Sequence, residues 1–183
     1  MTHYIDVKLI PNKEIRENVL LNQVYTAFHK RLYDLKETEI AVSFPEYRLK
    51  LGRLFRIHGT QETFTLLESQ KWLGQYAKYC KVSAVKTVPS KVKYRTISRV
   101  QQNMTEAKLR RLIKRGSIEE EDVKKYRIKM FQGGLDNPYV ELRSMSNGQL
   151  HRRFIELGAL VDVPVTGEFD LFGLSKTATV PWF

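Results

Sequence analysis

The sequence has a single cysteine, Cys80, and no uninterrupted apolar run approaches the ~20 residues of a membrane-spanning helix. One cysteine excludes an internal disulfide and a cysteine-rich zinc site, and it suits a reducing cytoplasm. The first residues, Met1 to Lys8, lack the charged and apolar regions of a signal peptide and resemble a strand instead. We therefore predict a cytoplasmic protein with no membrane partner.

Sequence patterns that bind metals or nucleotides are also missing. No two of the four histidines lie four residues apart, and there is no H-E-x-x-H motif. The P-loop and dinucleotide-binding glycine patterns are absent as well. We predict no metal site and no cofactor.

Acidic residues are scarce in one part of the chain. The formal net charge is +11, and the segment from Lys91 to Arg115 contains nine Lys or Arg but only one acid, Glu106. Such a balance favours an anionic partner, and the acids that usually form i,i+4 pairs with helix cations are missing here. Two interpretations stay open, a nucleic-acid-binding surface and a solvated helix face.

The basic segment divides into a strand and a helix. Tyr94 to Gln101 alternates like a strand that places Arg95, Arg99 and Gln101 on one face. Arginine and glutamine suit two-point contacts with guanine and adenine. The helix that follows exposes cations that suit phosphates, namely Lys108, Arg110, Arg111, Lys114 and Arg115.

Residues 1–90 show the element order βαββαβ, which is typical of a ferredoxin-like (RRM-like) domain. Apolar alternation and helical spacing predict the elements. The predicted strands are Tyr4 to Ile10, Ile40 to Phe44, Leu51 to His58 and Val82 to Val88, and the predicted helices are Ile15 to Leu35 and Thr60 to Tyr79.

Residues 91–183 form the second predicted domain, an α/β domain with the basic helix and a β-hairpin. Gly116 ends that helix, Ser117 to Glu120 matches a capping box, and Asn147-Gly148 signals a hairpin turn. The predicted elements are a helix up to Met130, strands at Tyr139 to Ser144, Leu150 to Leu157 and Glu168 to Leu174, and a docked apolar tail at Val180 to Phe183. The fold class is therefore α+β.

His29 is the first candidate for proton transfer, because an imidazole titrates near neutral pH. It follows the apolar Phe28, and Tyr25 and Tyr33 flank it at i−4 and i+4. A half-buried boundary histidine with no chemical role would show the same pattern. His58 lies among core residues of a strand and is interpreted as structural.

Two serines and a further histidine lie around the predicted hairpin. Ser144 and Ser146 serve turn geometry in one interpretation, and in the other a hydroxyl there holds a nucleophile in place beside a histidine. His151 either stacks on a base or is an exposed strand residue.

Short motifs spread over nearly the whole length resemble those of a known family, the type I-F CRISPR endoribonucleases that cut precursor CRISPR RNA at its repeat hairpins. The most specific are S-R-V-Q at 98–101, the basic helix, N-G-Q at 147–149, G-L-S-K at 173–176 and V-P-W-F at 180–183. The others are H-Y-I-D-V-K-L-I-P at 3–11, F-H at 28–29, V-S-F-P at 42–45, R-I-H at 56–58 and L-R-S at 142–144.

The resemblance implies an N-terminal ferredoxin-like domain and a C-terminal domain that holds an RNA stem-loop. It implies metal-independent cleavage at the 3′ base of the stem, where the 2′-hydroxyl attacks the adjacent phosphate and leaves a 2′,3′-cyclic phosphate and a 5′-hydroxyl. It also implies that the protein stays on the CRISPR repeat stem-loop (crRNA) and joins the other subunits of the type I-F surveillance complex.

Particular residues take roles by the same resemblance. His29 is expected to be catalytic and Ser144 to position the attacking ribose. Arg99 and Gln101 are expected to read bases at the bottom of the stem. The RNA-binding set is completed by the cations of the basic helix, Ser146 and His151.

The chain departs from the family pattern at two positions. Phe172 stands where a tyrosine is expected, so no hydroxyl is available there and we expect only packing. His151 stands where a phenylalanine stacks. The missing hydroxyl keeps a non-catalytic RNA stem-loop-binding subunit as one alternative. A basic ribosomal or DNA-binding protein is a separate alternative.

Overall fold

The computed structural model describes residues 1–101, 104–132, 135–144 and 148–183, and it shows a mixed α/β chain with antiparallel sheets. The helices are α1 Glu17–Leu35, α2 Gln61–Ser69, α3 Glu106–Lys114 and α4 Glu120–Gln132, with a 3₁₀ helix at Gly74–Tyr79. The strands are β1 His3–Leu9, β2 Ala41–Ser43, β3 Leu54–Gly59, β4 Cys80–Val82, β5 Lys86–Thr87, β6 Lys93–Arg95, β7 Ile97–Val100, β8 Tyr139–Arg143, β9 Leu150–Leu157 and β10 Val180–Trp182.

The first sheet contains the strands of the first 90 residues, in the order β2-β3-β1-β4, with β5 also paired to β1. All of these pairs are antiparallel, and Ile5 lies opposite Ile57. Ile5, Val7 and Leu9 alternate into the core, as a half-buried strand requires. The apolar stripe of α1 is buried in the same core, where Phe28 meets Phe55 edge to face at 5.3 Å.

The predicted second helix is shorter than expected. It begins as predicted, because the Thr60 hydroxyl accepts the Thr63 N–H at 3.2 Å. It ends at Ser69 and not at Tyr79, since Lys71 and Gly74 adopt φ values of 45° and 49° that an α-helix cannot contain. The break lets the side chains between them, Trp72 and Leu73, enter the core.

The prediction of one strand from Val82 to Val88 is also wrong. Two short strands, β4 and β5, pair with the same edge of β1 instead. Between them the Ser83 hydroxyl accepts the Asp6 N–H at 3.0 Å, which replaces a ladder hydrogen bond. A side-chain acceptor of this kind leaves no signal in apolar periodicity.

The basic strand from Tyr94 to Gln101 is interrupted at Thr96. Its first part, β6, pairs with β10, and its second part, β7, belongs to a three-stranded sheet with the order β7-β9-β8. Arg95 donates from Nε and Nη2 to the Gly158 carbonyl oxygen at 2.9 and 2.7 Å and lies over Trp182. It therefore does not share a face with Arg99, contrary to our expectation.

The chain from Glu168 to Leu174 forms a tight loop and not the predicted strand. The Asp170 carboxylate accepts the N–H groups of Phe172 and Leu174 at 2.9 and 3.0 Å. Gly173 adopts φ 71°, a conformation that a strand excludes. The apolar residues of this segment predicted a strand, but the hydrogen bonds of Asp170 to its own loop stabilise a turn instead.

The predicted hairpin is present, because β8 pairs with β9 in antiparallel register. The predicted docking of the C-terminal tail is also confirmed: Val180 is buried, and Arg56 donates to a main-chain oxygen of Phe183 at 2.9 Å. Arg56 also makes a two-point ion pair with Asp6, at 2.6 and 3.0 Å. Within the described residues, no helix is long and apolar enough to cross a membrane.

Candidate active site

His29 lies on α1 at the boundary of the core, directly after the fully buried Phe28. Its Nδ1 is 2.7 Å from the carbonyl oxygen of Leu171. A carbonyl oxygen can only accept a hydrogen bond, so Nδ1 carries the proton in this contact. In the neutral ring the lone pair is then on Nε2, and this atom is able to accept a proton from a substrate.

The surroundings of His29 favour the neutral form. Burial lowers the pKa of His29 from its ordinary value, and the positive charge of Arg153 lowers it further. The hydrogen bond to Leu171 and the negative charge of Asp170 oppose these effects, but the net shift is downward. The imidazole is therefore unprotonated at neutral pH, as a general base must be.

Phe172 covers one face of the imidazole. The two rings stack with centroids 3.5 Å apart and planes 13° from parallel. The Phe172 carbonyl oxygen accepts the Tyr25 hydroxyl at 2.8 Å, which holds the loop against α1. The sequence predicted packing for Phe172, and a ring stacked on the candidate base agrees with that prediction.

The loop that carries Leu171 and Phe172 is also fixed from the side of the first sheet. The Gly173 carbonyl oxygen accepts the Val42 N–H at 3.0 Å. A Cβ on Gly173 would lie only 3.1 Å from a Val42 methyl carbon, so glycine allows this close approach. The loop is thus fixed between β2 and α1.

Ser144 directly follows β8, which packs against α1. The side-chain oxygen of Asn22 accepts the Glu141 N–H at 2.9 Å, which sets the register between helix and strand. The α1 residues that precede Asn22 and the residues that precede Glu141 line one common cleft. From this shared starting point, α1 and β8 run in the same direction. His29 lies about 10 Å beyond Asn22, and Ser144 lies about 10 Å beyond Glu141. Helix and strand therefore carry the two residues toward the same end of the interface.

His151 and Arg153 lie on the same side of β9. They pair with Leu142 and Val140, whose side chains are buried. Directly opposed residues share a face of a sheet, so His151 and Arg153 belong to the face that covers α1. His151 is exposed there, and Arg153 lies with its guanidinium carbon 3.3 Å from the Phe172 ring centroid. Ser146 is outside the described residues.

Arg99 and Gln101 are close together at the end of β7. With the Gln101 amide oxygen facing the guanidinium, it accepts from both terminal nitrogens of Arg99 at 3.1 and 2.8 Å. Arg99 lies near enough to Arg153 that its charge lowers the pKa of the latter, after burial. A shallow cleft continues from these residues toward Lys176.

The helix α3 begins at Thr105, whose hydroxyl accepts the Lys108 N–H at 3.2 Å. Leu109 is buried, while the basic positions 108, 110, 111, 114 and 115 are all exposed. The acid Glu106 pairs with Arg127 of α4 at 2.9 Å and not with a cation of α3. A groove of about 440 Å³ connects Lys108 and Arg111 to Arg99 and Gln101. The predicted base-reading and phosphate-binding residues are thus brought together.

His58 lies in the core, as the sequence predicted. It is fully buried, and its Nε2 is 2.8 Å from the Ser43 hydroxyl oxygen. Burial, followed by the charge of Arg56, lowers the pKa of His58 to about 3. The described residues contain no group of three or more His, Cys, Asp or Glu arranged to hold a metal ion.

Sequence reasoning missed three contributors to the site. Leu171 acts through its carbonyl oxygen, which no side-chain pattern reveals. Asn22 lies in a helix with no feature that separates it from other polar surface residues. Arg153 was detectable in principle, because β9 alternation places it on the same face as His151.

The chain is similar to proteins of one family over almost its whole length. Residues 4–183 match the family described as CRISPR-associated protein (Cas_Csy4). The CRISPR-associated endonuclease Cas6/Csy4 of Escherichia coli (strain UTI89 / UPEC) is 34% identical over 184 residues, and the protein of that name from Pseudomonas aeruginosa (strain UCBPP-PA14) is 35% identical over 187 residues. Both alignments cover 100% of this chain and 100% of the relative.

Among solved structures, a CRISPR RNA processing endoribonuclease Cas6b matches over 98% of this chain and 100% of that chain. The TM-score of 0.34 and the identity of 12% are too low to carry an argument. The family match and the two full-length relatives are sufficient to assign the family. The chain belongs to the Cas_Csy4 family of type I-F CRISPR RNA-processing endoribonucleases.

Proposed function

We propose that this protein cleaves CRISPR repeat RNA at the 3′ base of its stem-loop without a metal ion. The 2′-hydroxyl of the nucleotide below the stem attacks the adjacent phosphate, and the products are a 2′,3′-cyclic phosphate and a 5′-hydroxyl. Membership of the family supports RNA processing in general. The contact between His29 Nδ1 and the Leu171 carbonyl supports the particular mechanism, because it leaves Nε2 as an acceptor.

In this proposal His29 removes the proton of the 2′-hydroxyl, Ser144 binds the same hydroxyl, and water supplies the proton that the leaving 5′-oxygen takes up. Attack requires the 2′-oxygen, the phosphorus and the leaving 5′-oxygen to be nearly in line, a geometry that helical RNA does not offer. The protein must therefore hold this nucleotide in a twisted pose. His29 lies on α1 and Ser144 directly follows β8, and the packing of these two elements against each other suits that purpose.

The proposed binding surface is the groove between β7 and α3. Arg99 and Gln101 read bases at the bottom of the stem, and the cations of α3 bind phosphates of the hairpin. The major groove of A-form RNA is deep and narrow, but a short stem opens it near its ends. A nine-residue helix about 14 Å long fits such an opening.

We also propose the division into two domains. Residues 1–90 correspond to a ferredoxin-like domain, and the strand order β2-β3-β1-β4 supports this assignment. Residues 91–183 correspond to the RNA-hairpin-binding domain with the basic helix. After cleavage the protein stays on the crRNA hairpin and joins the other subunits of the surveillance complex.

The decisive experiment is incubation with candidate repeat RNA in EDTA, followed by analysis of the fragment ends. We expect one cut at the 3′ base of the stem and a cyclic phosphate on the upstream fragment. A single 2′-deoxy substitution at the cleavage position should block cutting and preserve binding. Binding with no cutting of the all-ribose RNA would favour the alternative, a non-catalytic stem-loop-binding subunit.

A further inference from the structure

Three planar groups form a stack at the candidate base. His29 covers one face of Phe172 with a centroid distance of 3.5 Å, and the guanidinium carbon of Arg153 lies 3.3 Å from the same centroid. At these distances two groups cannot share one face of a ring, so Arg153 covers the opposite face. The order is therefore His29, Phe172, Arg153, and the outer groups are at most about 7 Å apart.

The ring of Phe172 is the main support of Arg153. Within the described residues Arg153 makes no ion pair, and its Nε is buried without a hydrogen-bond partner. Asp170 is near enough to act on its charge, but the Asp170 Oδ1 accepts two N–H groups of its own loop. Arg99, the other close charge, is of the same sign. The ring of Phe172 is therefore a close partner for this guanidinium, and arginine stacks well on a flat aromatic face.

We propose, on the basis of the function proposed above, that Arg153 is a positioning residue that holds Phe172 flat against the imidazole of His29. Phe172 has no hydroxyl with which to orient the imidazole, so the plane of the base depends on the stacked ring together with the hydrogen bond from Nδ1 to the Leu171 carbonyl. A ring with one uncovered face is free to tilt, and the imidazole would tilt with it. With both faces covered, Nε2 keeps one direction.

The charge of Arg153 has a second, separable effect. The charged groups that act on His29 are Arg153, which lowers its pKa, and Asp170, which raises it. Tyr25 is fully buried and its pKa is raised well above 10, so it is neutral, and Tyr33 contacts the imidazole by its ring edge. Loss of the Arg153 charge should therefore raise the pKa of His29. Since the base works when unprotonated, the rise of cleavage rate with pH should move to higher pH.

Three variants separate these effects in single-turnover cleavage with saturating enzyme, measured from about pH 5 to 8. Arg153→Met removes both the planar guanidinium that covers Phe172 and its charge, so the rise of rate with pH should move to higher pH and the maximal rate should fall on the order of 10-fold. Arg153→Lys keeps the charge and loses the planar stack. The maximal rate should therefore fall, while the pH at which the rate rises should stay the same. Arg48→Met removes an exposed charge in the loop between β2 and β3 and controls for general loss of RNA affinity.

A double-mutant cycle with Phe172→Leu tests whether Arg153 acts through the ring. Leucine removes the flat platform, so Arg153→Met should cost no further rate in that background. Thermal melts of each variant test whether it is folded. If Arg153→Met does not fold, Arg153→Lys takes its place in the double-mutant cycle. The proposal is overturned if Arg153→Met changes only RNA affinity, or if its rate effect persists fully without Phe172. Failure of the wild type to make a cyclic phosphate would instead overturn the proposed function.

Discussion

The side-chain oxygen of Asn22 accepts the backbone N–H of Glu141 at 2.9 Å. This bond joins α1, which carries His29, to β8, which leads to Ser144. Asn22→Leu should remove the acceptor, let helix and strand slide, and lower the single-turnover rate by about 10- to 100-fold. Asn22→Asp keeps an oxygen at the same place and should stay close to wild type. Equal rates for the two variants would show that this bond does not align the site.

His29→Ala should abolish cleavage and leave the binding of uncut hairpin nearly unchanged, because the imidazole contributes a proton acceptor and little contact area. The measurement pairs a binding titration with a single-turnover assay. His29→Gln is the matched variant, since an amide can still donate to the Leu171 carbonyl but is not a base. Cleavage at the wild-type rate by either variant would exclude His29 from the chemistry.

Replacement of a basic residue on α3 by alanine should reduce the dependence of hairpin affinity on salt. Each phosphate that is no longer neutralised should lower the slope of log affinity against log salt by about 0.9. Lys114→Ala and Arg115→Ala are suitable single variants, and Arg48→Ala is the control outside the proposed groove. An unaltered slope after replacement of all five cations would contradict the docking of α3 on the hairpin.

Arg99→Ala and Gln101→Ala should each weaken binding by about 1–3 kcal/mol and relax preference at one base pair. The two side chains hydrogen-bond each other, so the double variant should cost less than the sum. Affinities for stems with each base pair exchanged would test this. A uniform decrease over all stems would mean that these residues contact only the backbone.

Stability should depend on pH through His58. Its pKa is about 3 in the folded protein, well below its ordinary value of 6.5, so between these values the unfolded state binds the extra proton. The free energy of unfolding should be at its plateau above about pH 6.5 and should fall by up to about 1.4 kcal/mol per pH unit below it. In His58→Gln, which cannot titrate, this slope should be smaller. An identical slope would assign the pH dependence to other groups.

The spacing of apolar residues predicted helices and strands well where burial of one face alone determined the structure. The stripe of α1 and the alternation of β1 follow from burial of one face, and both elements lie within two residues of the prediction. It failed where a side chain took a backbone role. Asp170 caps its own loop, Ser83 replaces a ladder bond, and Lys71 with Gly74 turns a helix aside to bury Trp72. Only the Ser83 contact joins residues far apart in the sequence, and the other two are local effects that apolar spacing does not encode.

The sequence predicted some features of the candidate site and not others. Side-chain chemistry pointed to His29, Arg99 and Gln101, and a groove does join the last two to α3. The choice of ring nitrogen did not follow from the sequence. It depends on the Leu171 carbonyl, and a carbonyl is present at every residue of every chain.

The partners of that hydrogen bond are 142 positions apart in the chain. During synthesis His29 is made early, and the Leu171 carbonyl that sets its tautomer is made only after almost the whole polypeptide. A nascent or truncated product ending before Leu171 would have a histidine with either nitrogen protonated. Catalytic competence should therefore appear late, in one step, when the loop closes onto the first helix.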